Sequence, residues 1–156
     1  MDKKLRIGWF SFTCCEDSTI IFTELLNTHY RDWLKKIEFV HARVLMKKNT
    51  KEIKEMDVAF VEGAISSDGQ EAKLKKIREK AKILVAIGSC AINGSPSNQR
   101  NFFNQANIEE IKPILERFKY KEKVLKVSEV VKVDEIVPGC PMNETIFLDL
   151  MKKYLI

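Results

Sequence analysis

The stretch Val137-Pro138-Gly139-Cys140-Pro141-Met142 joins an apolar run to a stiff turn that holds a cysteine. The two prolines fix their own φ angles, and Gly139 lets the backbone pass close to a bulky neighbour. Such a turn suits a cysteine that binds a ligand better than a cysteine that is buried in a hydrophobic core. The other three cysteines, Cys14, Cys15 and Cys90, also follow apolar runs.

Outward from this turn, short apolar runs alternate with segments of helical periodicity. The predicted strands are residues 5–10, 37–44, 56–61, 82–87 and a segment within 130–137. The predicted helices run from an Asp17 or Ser18 cap to about residue 34, over 70–80, within 108–118 with Pro113 in the first turn, and onward from an Asn143 cap. The alternation predicts one flavodoxin-like α/β domain over residues 1–156, a doubly wound parallel sheet of about five strands in the order 2-1-3-4-5.

Composition and charge indicate which class of protein this chain belongs to. The chain has 156 residues, 45% of them hydrophobic and 31% charged, which is typical of a globular domain with a substantial core. No apolar run approaches the roughly 20 residues that span a bilayer, and no signal peptide is recognisable, so we expect a cytoplasmic protein without membrane insertion. The net charge of +5 comes from lysines interleaved with glutamates, without a basic and aromatic stripe. We therefore expect no nucleic-acid partner.

The four cysteines are predicted to meet at one edge of the sheet. The carboxyl ends of parallel strands point to the same edge, where ligands of such folds bind. Cys14 and Cys15 follow the first predicted strand, Cys90 the fourth and Cys140 the fifth. In a reducing compartment, cysteines are more often metal ligands or catalysts than disulfide partners. The sequence thus predicts a thiolate metal centre.

Two kinds of metal centre fit four converging thiolates. Structural zinc usually takes paired Cys-x-x-Cys knuckles, whereas a [4Fe–4S] cube takes one thiolate per iron and tolerates distant loops. The wide spacing favours the cube, with reduced metal-free thiols and a zinc-stabilised interaction domain as alternatives. A flavin- or nucleotide-binding domain is another alternative, but residues 11–18 contain no glycine and no phosphate-binding pattern.

Four motifs, in this order and in these structural contexts, carry a family resemblance. They are Thr13-Cys14-Cys15-Glu16-Asp17-Ser18, Val61-Glu62-Gly63-Ala64-Ile65, Gly88-Ser89-Cys90-Ala91 and Val137-Pro138-Gly139-Cys140-Pro141. Together they resemble the small subunit of [NiFe] hydrogenases, a module that also occurs in the equivalent 20 kDa-type subunit of respiratory complex I.

The resemblance implies an electron-transfer role within a hydrogenase, an oxidoreductase complex. The chain would hold one proximal [4Fe–4S] cluster through Cys14, Cys15, Cys90 and Cys140. It would dock on a large subunit that carries the nickel–iron site, and would have no catalytic residue of its own. Glu62 and residues 11–18 and 92–101 would lie near the large-subunit face.

Two departures from the hydrogenase pattern bear on the branch of the family. The adjacent pair Cys14-Cys15 looks like the complex I pattern rather than Cys-x-x-Cys. The chain also ends soon after its last predicted helix and has four cysteines in total, so we expect a single cluster, with onward transfer through further electron-transfer subunits or to a direct acceptor. Its shortness and Glu62-Gly63-Ala64-Ile65 favour a soluble hydrogenase. Glu16 and Glu62 are candidates for an interface or proton-coupling role, although Glu16 would also suit a helical first turn.

Overall fold

A five-stranded parallel sheet forms the centre of the molecule. The structure is a computed structural model, and it describes residues 4–46 and 52–155. Its strands are β1 (Leu5–Ser11), β2 (Ile37–Ala42), β3 (Met56–Glu62), β4 (Ile65–Ser67), β5 (Ala81–Ile87), β6 (Tyr120–Leu125) and β7 (Glu135–Val137). The central sheet has the order β2-β1-β3-β5-β7, with every neighbouring pair parallel. Counting its five strands alone, this is the predicted order 2-1-3-4-5, so the fold class is confirmed.

Helices cover both faces of this sheet. They are α1 (Asp17–Lys36), α2 (Asp68–Lys80), α3 (Gly88–Asn93), α4 (Gln105–Phe118) and α5 (Glu144–Tyr154), and short 3-10 turns cover Gln99–Phe102 and Val127–Glu129. None of the helices in the described ranges is both long and apolar enough to cross a membrane.

Each face of the sheet has its own buried core. On one face, Trp9 of β1 and Phe60 of β3 pack with α1 and with Phe147 of α5. On the other face, Phe10 of β1 and Leu74 of α2 belong to a second buried core. Neighbouring residues of one strand thus enter opposite cores, because side chains alternate along a strand. Burial on both faces explains why the strands read as continuous apolar runs.

The structure corrects several predicted boundaries. β2 ends at Ala42 instead of residue 44, because the chain turns there and Leu45 N–H donates to the Ala42 carbonyl (2.9 Å). Pro113 lies in the middle of α4, so its prediction in the first turn was wrong. The helix starts earlier because Asn104 caps it by accepting from Asn107 N–H (2.9 Å). The antiparallel pair β4–β6 and the helix α3 were not predicted.

β7, the strand that leads to Cys140, is short, and the Asp134 carboxylate adds to its attachment to the sheet. It pairs with β5 over only three residues. Just before it, Asp134 exchanges two hydrogen bonds with Leu84: Asp134 N–H donates to the Leu84 carbonyl, and Leu84 N–H donates to the Asp134 carboxylate, both at 2.9 Å. Arg78 donates to the same carboxylate oxygen (2.5 Å). Asp134 thereby extends the attachment of β7 to the sheet.

We predict that Asp134→Asn lowers the free energy of unfolding by about 1–2 kcal/mol at neutral pH, because a charge-assisted acceptor is lost. Partial burial raises the pKa of Asp134, but the hydrogen bonds from Leu84 N–H and Arg78 outweigh it and leave this pKa below its ordinary value. A carboxylate whose pKa is lowered by folding stabilises the folded state at pH values above its ordinary pKa. This stabilisation is lost as the pH falls through the lowered pKa. Urea unfolding of both proteins at neutral and acidic pH should therefore show their stabilities converging in acid.

The matched control is Asp149→Asn, which removes an exposed partner of Lys152 and should change stability little. Equal losses in the two variants would contradict a special role for Asp134.

Candidate metal centre

The loop that carries Cys14 lies directly against the end of β3. Thr13 and Ala64 exchange two backbone hydrogen bonds of 3.0 and 2.9 Å, and Phe12 N–H donates to the Glu62 carbonyl (2.8 Å). Between them, Gly63 has a φ of 94°, and a Cβ there would lie 2.9 Å from the Phe12 carbonyl carbon and from Thr13 N. Only glycine fits this approach without a shift of the backbone. Gly63 therefore allows the cysteine loop to reach the sheet edge.

The start of α1 is held by a carboxylate from β3 rather than by its own cap. The prediction of an Asp17 or Ser18 cap was wrong: Glu16 precedes the helix in a left-handed conformation (φ 64°) and makes no capping hydrogen bond. Instead, the Glu62 carboxylate accepts from Ser18 N–H (3.0 Å) and Thr19 O–H (2.6 Å). Burial raises the pKa of Glu62, and these hydrogen bonds partly offset the effect. Glu62 is only 3% exposed, whereas Glu16 is exposed.

The other two cysteine segments differ in burial. Cys90 is the third residue of α3, is 7% exposed, and belongs to a small apolar cluster with Ala64 against which Cys14 packs. Cys140 is exposed in its turn. There Gly139 has a φ of 120°, and a Cβ at this position would lie 2.4 Å from the Pro141 carbonyl oxygen. The turn therefore requires glycine, as the Pro-Gly-Cys-Pro sequence indicates.

Hydrogen bonds connect the three cysteine segments pairwise. They run from Met142 N–H to Ser18 Oγ (3.1 Å), from Ser89 N–H to the Gly139 carbonyl (2.8 Å), and from Ser97 O–H to the Thr13 carbonyl (3.1 Å). Ser18 and Ser89 belong to the sequence motifs quoted above, but their contacts across the cleft are not predictable from the sequence, and Ser97 lies in a loop without a distinguishing pattern. Each pair of segments is thus held together without a metal ion.

All four cysteines line a single small cleft at the carboxyl edge of the sheet. All four are free thiols: Cys90 is buried, Cys14 is half-buried, and Cys15 and Cys140 are exposed. Asp17 and Glu62 also line the cleft, and its lining contains no lysine or arginine among the described residues. The structure therefore brings together the cysteines that the sequence assigned to three different strand ends.

The electrostatics of the cleft favour a cationic occupant. Burial, followed by the neighbouring charge of Glu62, raises the pKa of Cys14 to about 12. In the metal-free chain, Cys14 is therefore a protonated thiol at neutral pH. Thiolates are the form that binds metal ions, so metal binding must release this proton. A positive centre would offset both the thiolate charges and the two carboxylates.

A single metal ion and a multinuclear cluster require different arrangements of thiols. Within residues 4–46 and 52–155, no three histidine, cysteine, aspartate or glutamate side chains are placed to hold one metal ion. A zinc ion needs its sulfur ligands at about 2.3 Å from one point, whereas the thiolates of an iron–sulfur cube each bind a different iron. The four cysteines around the cleft equal in number the ligands that a cube takes.

We predict that Gly139→Ala destabilises the protein by at least about 1 kcal/mol, because its Cβ would meet backbone atoms at a positive φ. Gly69→Ala is the matched control, since nothing lies within 4 Å of a Cβ at that position and alanine favours the helix that contains it. Thermal unfolding should show a lower melting temperature for the first variant and an equal or higher one for the second. Similar melting temperatures in both would contradict the strained turn.

We predict that Glu62→Gln lowers the free energy of unfolding by about 1–3 kcal/mol, since its amide nitrogen cannot accept from Ser18 N–H or Thr19 O–H. Glu16→Gln is the control, because Glu16 is exposed and does not cap the helix. Denaturant unfolding of the metal-free variants measures both effects. A stable Glu62→Gln variant would show that the carboxylate is not needed to hold α1.

Comparisons with known proteins identify the family of this chain. Residues 14–154 match the model of a family described as NADH ubiquinone oxidoreductase, 20 Kd subunit. The chain is 26% identical to a subunit of the F420-non-reducing hydrogenase of Methanothermobacter marburgensis, over 99% of this chain and 54% of that protein. It is also 26% identical to the delta subunit of the NAD-reducing hydrogenase HoxS of Cupriavidus necator, over 90% of this chain and 73% of that one.

The fold is shared with a solved structure. A chain in the crystal structure of an NAD+-reducing [NiFe]-hydrogenase in the H2-reduced state superposes with a TM-score of 0.84 at 24% identity. The alignment covers 98% of this chain and 92% of that one. By contrast, the chain spans about half the length of the F420-non-reducing hydrogenase proteins that it matches. Since the family match includes all four cysteines and nearly the whole chain, this protein belongs to the family of the complex I 20 kDa subunit and the [NiFe] hydrogenase small subunit.

Proposed function

We propose that this chain is the electron-transfer small subunit of a [NiFe] hydrogenase. In this proposal Cys14, Cys15, Cys90 and Cys140 hold one proximal [4Fe–4S] cluster. When bound, the cluster supplies one-electron transfer to or from a nickel–iron site on a large partner subunit. The observation that carries the proposal is the meeting of four cysteines, from three separate segments, in one cleft.

In this proposal, the protein positions the cluster and shields it from solvent. Cys14 and Cys90 lie on the inner side of the site, where they pack against Ala64. Glu62 and the hydrogen bonds between the segments hold the ligand loops in place before metal arrives. Burial and hydrogen bonds to the sulfurs are the means by which such a chain sets a reduction potential.

The exposed side of the cleft supports a protein partner. Cys15 and Cys140 are exposed in the isolated chain, so a cluster held there would face solvent unless another subunit covered it. In the segment that follows Cys90, Phe102 is 80% exposed and Phe103 is 44% exposed. Large exposed apolar side chains are typical of protein interfaces. We assign this partner as the large hydrogenase subunit, with further electron-transfer subunits completing the complex.

The two glutamates have different places in this proposal. Glu16 is exposed and follows Cys15 directly, which suits an interface or proton-coupling role. Glu62 is buried and binds the start of α1, so any such role must operate alongside its structural one. The hydrogenase names of the relatives support this branch of the family.

A complex I-like cluster subunit is the second candidate. The adjacent pair Cys14-Cys15 and the family description both favour it. The two candidates differ in the partner, because only a hydrogenase complex contains nickel and reduces an artificial acceptor with H2. Metal analysis and hydrogen-dependent dye reduction of the copurified complex therefore distinguish them.

We predict that the anaerobically purified protein, with its partner, contains about four iron and four labile sulfide per chain, as one cube on four thiolates requires. Cys140→Ala should lose the cluster, because one iron is left without its protein ligand. Iron and sulfide assays and the visible absorption spectrum measure both effects.

Ser128→Ala, which changes an exposed residue of a short turn, serves as the control and should keep full iron content. Circular dichroism should show that Cys140→Ala remains folded. Zinc without labile sulfide in the wild-type complex would refute the cluster assignment, and normal cluster content in Cys140→Ala would remove Cys140 from the ligand set.

A further inference from the structure

The hydroxyl of Ser97 lies between the two inner cysteine segments. Its oxygen is 3.3 Å from Cys90 Sγ and 3.1 Å from the carbonyl oxygen of Thr13, the residue before Cys14. A serine hydroxyl has a single hydrogen, so it donates fully to only one of these acceptors at a time. The state of Cys90 determines which acceptor receives it.

A free thiol and a metal-bound thiolate interact differently with the hydroxyl hydrogen of Ser97. A thiol is itself a weak donor, so the serine hydrogen can go to the Thr13 carbonyl while the Cys90 S–H faces the serine oxygen. A metal-bound thiolate has no hydrogen and only accepts. Because hydrogen bonds to anionic acceptors are the stronger ones, the serine hydrogen is then better placed on the sulfur.

The surroundings of Cys90 strengthen such a bond. Cys90 is 7% exposed and lies in the apolar cluster with Ala64 and Val124, and Ser97 itself is partly buried. A hydrogen bond in these surroundings is electrostatically stronger than one in water. Cys15 and Cys140 are exposed in the isolated chain, unlike Cys90. Ser97 therefore serves the most buried of the four sulfurs.

We propose that Ser97 is a positioning and tuning residue: its hydroxyl donates to Cys90 Sγ in the cluster-bound protein and raises the reduction potential of the cluster. A donor to sulfur stabilises the electron-rich reduced form more than the oxidised form, so the one-electron reduction becomes more favourable. This inference rests on the proposed cluster, and it adds a residue outside the ligand set that controls the potential.

The test is an EPR-monitored redox titration of the anaerobically purified complex. Ser97→Ala removes the donor and should shift the midpoint potential to a more negative value than in the wild type. Ser97→Thr keeps a hydroxyl and should restore the potential towards the wild-type value. Ser95→Ala is the matched control, because Ser95 is an exposed serine of the same loop whose side chain makes no hydrogen bond with the described residues.

Iron and sulfide content is measured on every sample, so that a change in potential is separated from a loss of cluster. Ser97→Gly, which also lacks the hydroxyl, replaces Ser97→Ala if that variant fails to load. An unchanged midpoint potential in a fully loaded variant without the hydroxyl overturns the role of Ser97 and leaves the proposed function intact. A wild-type complex without iron and sulfide refutes both.

Discussion

A buried carboxylate is the constraint on which the cysteine cleft depends. Glu62 ends the central strand β3, and each of its two oxygens accepts a hydrogen bond from the first turn of α1. Thr19 in turn accepts from Trp9 Nε1 (2.9 Å), which connects the same contact to the core of the sheet. A buried carboxylate without hydrogen-bond partners costs free energy, so separating α1 from β3 would destabilise the fold. The loop with Cys14 is held between them.

The rest of the cleft is assembled by short polar contacts between segments that are distant in sequence. Met142 N–H reaches Ser18 across 124 positions, and Ser97 reaches the Thr13 carbonyl across 84. These bonds involve backbone groups or serine hydroxyls and no charged pairs. They place the sulfurs without adding cations to a cleft that already contains two carboxylates. The chain thus arranges the four cysteines in a cleft that the proposed metal centre would complete.

In the proposed cluster site, metal binding would be linked to the protonation of Cys14. Desolvation and the charge of Glu62 keep the Cys14 thiol protonated in the metal-free chain, with a pKa of about 12. Metal binding therefore releases a proton and relieves the local excess of acidic groups. The same arrangement makes Cys14 a poor nucleophile in the metal-free chain, because the thiolate is the reactive form and it is disfavoured at this position. The raised pKa of Cys14 is therefore more compatible with the proposed ligand role than with covalent catalysis.

The sequence alone predicted the parallel sheet and its strand order, because short apolar runs alternate with helical segments. It also predicted the edge at which the cysteines meet, because each cysteine segment follows the end of a predicted strand. It did not reveal the β4–β6 pair, since β4 has three residues and three of the six residues of β6 are charged, so neither has a clear period. It also misplaced the cap of α1, because the acceptor is Glu62, 44 positions away. Only the tertiary structure could assign Glu62 and Ser97 their roles, because each depends on a partner that chain folding alone brings within hydrogen-bonding distance.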